Sequence, residues 1–266
     1  MRSRGALLAG AFAAALVTAP AGAVNTRVGS SPDSFDPGLL RIDEGSHLGQ
    51  PVPEVRVQTE AGSASLRELS AGEPAILLLA YYTCHGPCPT TIRNLSRSLR
   101  AVESAGHRVI VLSFDANDTL DSLQHVKSDL GGIPPNWTFG LLSAEDAQRL
   151  TQAVGFKFFF SEKDQAFIHP SVLVFLSPQG EVMRYLYGVE PRPADVELAL
   201  LEAGKRVQHL NDLVSMVKLV CSRYDPSRSR YVVHPTLIFG SLGLGLLALT
   251  GLIAFSYKRD IRGVHS

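Results

Sequence analysis

Apolar and polar positions along the chain fall into segments of distinct period. Positions 75–82, "AILLLAYY", are an unbroken apolar run of strand length. In "TTIRNLSRSLRAV" (90–102), Ile92, Leu95, Leu99 and Val102 recur at three- and four-residue spacing, which predicts an amphipathic helix. Pro89, just ahead, suits its first turn. "RVIVLSF" (108–114) is a second buried strand. A helix opens at Asp118-Thr119-Leu120-Asp121, with Asp118 a candidate N-cap, and closes at Gly131-Gly132. A short strand is expected at 137–142. Ser143 caps a helix that stops at Gly155. "SVLVFL" (171–176) and "EVMRYLY" (181–187) flank "SPQG", a hairpin signal, and a last helix spans 193–206.

The order is therefore β-α-β-α followed by β-β-α, an α/β pattern without internal repeats. It is the arrangement of a thioredoxin-like three-layer sandwich carrying an insertion, placed at 48–206. Residues 24–47 are rich in turn residues and lack a period, which predicts a linker or loosely docked arm. The stretch "LNDLVSMVKLVCSRY" gives 207–235 a helical, juxtamembrane character.

Two further segments set the compartment. Arg2 and Arg4 precede a small-residue apolar stretch that ends in Ala21-Gly22-Ala23, which makes 1–23 a signal peptide cut after Ala23. Positions 236–256 carry no charge and are long enough to cross a hydrocarbon core of about 30 Å as a transmembrane helix. Lys258, Arg259 and Arg262 on one flank nearly balance Arg223, Arg228 and Arg230 on the other, so orientation rests on the signal peptide. The expectation is a domain on the periplasmic side of the cell inner membrane, with 257–266 as a cytoplasmic tail. Lys plus Arg and Asp plus Glu are equal at 25 each, with no basic stripe, which argues against nucleic acid as a partner.

In "YYTCHGPCP" (81–89), Cys84 and Cys88 stand where the first strand turns into a helix. Backbone N–H groups at a helix start favour thiolate, the form that attacks disulfides and binds metal. Exported cysteines this close also make a structural staple, so disulfide, redox pair and metal site all stay open. His169, in "FIHPS", precedes the strand whose leading loop faces the cysteine loop in a thioredoxin-type sheet. Two thiolates and an imidazole are a soft donor set that suits Cu(I), or Cu(II) in a tetragonal site. His85 lies within the loop itself, while His107, His125 and His209 read as surface residues. Cys221 reads as a buried small side chain.

The motifs "YYTCHGPCP", "VLSFDANDT", "FIHPS" and "SPQGEVMRYLYG" resemble the Sco/SenC family of thioredoxin-like proteins that assemble copper sites in cytochrome c oxidase. "CSRYDPSRSRY" resembles a bacterial branch with a C-terminal span. The resemblance implies copper, Cu(I) or Cu(II), on Cys84, Cys88 and His169. It implies the oxidase's copper-binding subunit as partner and a membrane-tethered metallochaperone as the function. The alternative is a thiol–disulfide oxidoreductase that uses Cys84 and Cys88 to reduce the target's cysteines. Two departures stand out. Ile168 occupies the place where many members carry a carboxylate that could orient the histidine ring. Asp115 and Asp118 are three apart rather than four. Pro170 follows the candidate ligand, where thioredoxins place a cis-proline.

Overall fold

The computed structural model describes residues 40–84, 86–102, 106–204, 222–233, 240, 243 and 245–251. In chain order the elements are α1 (Glu44–His47), β1 (Arg56–Thr59), β2 (Gly62–Ser65), α2 (Leu66–Ser70), β3 (Ala75–Ala80) and α3 (Pro87–Leu99). Then come β4 (Arg108–Ser113), α4 (Leu120–Asp129), β5 (Trp137–Leu142), α5 (Ala144–Ala153), β6 (Phe159–Ser161) and β7 (Ala166–Ile168). The last are β8 (Val172–Leu176), β9 (Val182–Tyr187), α6 (Pro193–Gly204), β10 (Ser222–Asp225) and β11 (Arg230–Val233).

Seven strands form one sheet in the order β2-β1-β5-β4-β3-β8-β9. β3, β4 and β5 run parallel, and β8 returns antiparallel to β3. The two unbroken apolar runs thus become the two central strands. β3 is buried along its whole length and β4 from Val109 onward, because helices cover such strands on both faces. α6 packs along β9, β8 and β3 and touches α3, while α4 and α5 pack on β5. This is a mixed α/β, thioredoxin-like fold.

Several expectations change. α4 is capped by Thr119, not Asp118, through a reciprocal pair with Ser122. The N-terminal arm is not loosely docked from residue 40 onward: Ile42 is buried in the core, and His47 Nδ1 pairs with the Ala153 carbonyl at 2.9 Å. The segment expected to be helical over 207–235 is a β-hairpin at 222–233, with Tyr224 facing Tyr231. Pro226 cannot continue a helix, and the Asp225 carboxylate accepts from Ser227 N and Oγ to close the turn.

The signal peptide, the tail and most of 236–256 lie outside the described residues, as do His85, His209 and Cys221. The described residues of the last segment are helical, with Leu246, Leu247 and Leu249 exposed. Among the described residues no helix is long and apolar enough to cross a membrane.

Candidate functional site

The sheet brings the candidate residues together. β3 pairs antiparallel with β8, Leu78 opposite Leu173. The end where β3 leaves the sheet is therefore the end where β8 begins. The cysteine loop hangs from the first, and His169 stands just before the second. Cys88 Sγ and His169 Nε2 lie 3.5 Å apart across a sequence separation of 81.

Gly86 precedes α3 without a capping side chain, and Pro87 opens it, so Cys88 falls in the first turn, where backbone N–H groups lack helical acceptors. Gly86 N–H donates to Cys84 Sγ at 3.3 Å. Cys84 and Cys88 are free thiols and both are buried. They are not equivalent. A hydrogen bond from the Cys88 side chain holds the Cys84 thiol down at about 5, with help from Tyr81 and the Gly86 amide. Its partner pays no such benefit back: the same hydrogen bond, with burial and the charge on Cys84, pushes Cys88 far up.

His169 is neutral, because burial lowers its pKa. Its Nδ1 lies 3.0 Å from the Pro170 carbonyl. A carbonyl only accepts, so Nδ1 carries the proton and Nε2 presents its lone pair toward Cys88. The Pro170 carbonyl thus orients the ring, a task a carboxylate at position 168 would otherwise serve. All described peptide bonds are trans, the His169–Pro170 bond included. The imidazole is also boxed by aromatic rings. Phe114, Phe156 and Tyr81 stand at 5.4, 5.6 and 5.9 Å between centroids.

Asp118 serves the cysteine loop from below. Its buried carboxylate accepts from Tyr82 N–H and Ser113 Oγ, each at 2.5 Å, pinning the chain two residues before Cys84. Asp115 accepts from Asn117 and lines a cleft of about 610 Å³ that also borders Cys84 and His169. The far wall is the β6–β7 hairpin, which the sequence reading missed together with the aromatic box. The alternation in "FKFFFS" was its faint signal.

Donor atoms roughly 2.0–2.3 Å from one first-row ion stand about 3–4 Å apart, so the Cys88–His169 separation fits a shared ion. Contacts run from Cys84 to Cys88 and from Cys88 to His169; a common ion also needs Cys84 and His169 to face one point. Among the described residues no group of three or more His, Cys, Asp or Glu side chains already has that arrangement.

The SCO1/SenC family model matches residues 55–200. The chain belongs to the SCO1/SenC family. No curated protein sequence matches it. Among solved structures, this SCO1/SenC chain is similar to an Aquifex aeolicus VF5 protein assigned provisionally to electron transfer. The two are 29% identical with a TM-score of 0.56, over 61% of this chain and 97% of that one. A SCO1/SenC family lipoprotein of Bacillus anthracis str. Ames is 17% identical, TM-score 0.52, over 60% and 96%. Arabidopsis thaliana ScoI, solved with copper bound, is 15% identical, TM-score 0.50, over 59% and 99%. At such identities the last two speak for the fold alone.

Proposed function

We propose that this SCO1/SenC chain is a membrane-tethered metallochaperone that carries copper on Cys84, Cys88 and His169 for assembly of the copper site of cytochrome c oxidase. The observation that supports it is the 3.5 Å approach of Cys88, a free thiol beside Cys84, to a neutral imidazole whose Nε2 lone pair faces it. Copper is the cargo. The two thiolates suit Cu(I), and the imidazole adds the nitrogen that Cu(II) requires. The acceptor is the oxidase's copper-binding subunit, and the domain works on the periplasmic face of the inner membrane, with the signal peptide and the 236–256 span setting its place.

Copper titration of the reduced protein tests the reading. One copper per chain is expected, lost in Cys84→Ser and in Cys88→Ser. His169→Ala should weaken Cu(II) strongly and Cu(I) less, since two thiolates hold Cu(I) in near-linear geometry. Full copper retention in the double cysteine variant would remove the proposal. The topology has its own test: a reporter active only in the cytoplasm should work fused after Ser266 and fail fused after Arg206.

A second reading has an observation of its own. One low-pKa thiol beside a protonated partner is the pairing a thiol–disulfide reductase needs. The two readings part at His169. In cells, His169→Ala should mimic loss of the protein in oxidase assembly if copper is carried, and should leave assembly near normal if only thiol exchange matters.

A further inference from the structure

The cleft beside the thiols is larger than one ion needs, at about 610 Å³. Phe160, on its β6–β7 wall, is 38% exposed. Its ring packs edge-on against Phe167 at 5.2 Å, so an aromatic face is held out toward solvent rather than left to swing. The carboxylates lining the cleft among the described residues are those of Asp115 and Asp164. Among the described residues no lysine or arginine lines it; Lys157, before β6, and Lys163, in the β6–β7 turn, do not. Cys84 and His169 border the same space. An anchored aromatic, an acidic lining and a metal-binding thiol in one open cleft define what fits there: an extended chain with an apolar side chain, a positive charge and soft donors.

We propose that this cleft docks an extended cationic segment of the copper acceptor, with an apolar side chain on Phe160, a lysine or arginine facing Asp115 and Asp164, and cysteines presented at Cys84. This rests on the metallochaperone reading. Cu(I) then moves by ligand exchange: each acceptor thiolate that binds the ion displaces one thiolate of the Cys84–Cys88 pair. The acceptor's thiol protons pass to the displaced Cys88 and to solvent, since Cys84 stays a thiolate, and no oxidation state changes.

The test uses the full chain in detergent and two labelled peptides. Both carry a Cys-x-x-x-Cys pair and a leucine; one has two flanking lysines, its twin two glutamates. With the peptide thiols alkylated and no copper present, fluorescence anisotropy reads docking alone. The lysine peptide should bind about fivefold more tightly than its twin at low salt, an advantage that fades as salt is raised. Asp115→Asn with Asp164→Asn should erase the difference. Phe160→Ala should weaken both peptides about tenfold, as loss of an aromatic anchor does. With unmodified peptides and Cu(I)-loaded protein, transfer to the lysine peptide should slow in these variants, while capture by a small chelator keeps its rate.

Equal binding of the twins, or no effect of Phe160→Ala, overturns the docking proposal. Concentration-dependent dimers in sedimentation that Phe160→Ala abolishes would assign the cleft to a second copy instead, and overturn it too. If the chain takes up no copper yet still discriminates the alkylated peptides, the metallochaperone reading fails and the docking surface stands.

Discussion

Single side chains decide how the site behaves. Cys84 ionises near 5, whereas an ordinary cysteine ionises at about 8.5. The folded state therefore holds this group deprotonated where the unfolded chain does not. The stability it contributes is present above the unfolded value and is lost as pH falls through about 5. Between pH 8 and 6, alkylation of Cys84 by iodoacetamide should stay nearly constant, while a free thiol slows about tenfold per pH unit. Mass spectrometry of the alkylated peptide follows this, and a tenfold drop per unit would contradict the low pKa. Tyr82 acts differently. Its hydroxyl lies among the Val111 carbonyl, the Gly140 carbonyl and the Gly140 N–H, at 2.9, 2.8 and 3.1 Å. Tyr82→Phe removes this hydroxyl from all three buried groups and should cost about 1–3 kcal/mol in urea unfolding. A shift of a few tenths would mean that the backbone relaxes around the loss.

At the scale of elements, β10–β11 holds the end of the domain in place. β9 is an edge strand, and the hairpin satisfies two of its outward groups: Tyr224 donates to the Tyr185 carbonyl at 2.5 Å, and Tyr187 N–H donates to Ser229 Oγ at 2.6 Å. Arg184 joins α6 to this contact, bonded to Glu202 through two nitrogens and lying 4.5 Å over the Tyr224 ring. Tyr231 donates to the same Glu202. Tyr224→Ala should therefore destabilise the fold by about 3–5 kcal/mol, read as a fall in melting temperature. A loss below about 1 kcal/mol would make the hairpin an accessory to the domain rather than part of it. The hairpin escaped the sequence reading because "LVCSRYD" also carries a helical pattern, and its strand character comes from tertiary partners on β9 and α6. By contrast β3, α3, β4 and β8 were legible, since burial on both faces leaves unbroken apolar runs and α3 keeps its period. The same contrast holds in the site. Cys84, Cys88 and His169 follow from strand order. The Asp118 anchor joins positions 36 apart, and the aromatic box gathers from three separate segments, so no local pattern announces either.

For the whole molecule, what matters is that the candidate donors hang from the adjoining ends of two antiparallel neighbours in the sheet, β3 and β8. An ion bound across β3 and β8 ties chain segments that meet only in the folded state, so copper acts as a cross-link that the unfolded chain cannot keep. Free copper at a hundredfold excess over its dissociation constant should raise stability by about 2.7 kcal/mol. Calorimetry of the reduced protein with and without Cu(II) should show that rise, and His169→Ala should lose most of it. An equal rise in the variant would place the ion on one segment alone. There is a kinetic counterpart. Buried interior strands open only with global unfolding, on timescales too slow for the delivery proposed above. On the metallochaperone proposal the protein is a vault with one door: cargo held where β3 and β8 meet leaves by exchange at the rim, and an acceptor that cannot reach the rim waits for the fold itself to fail.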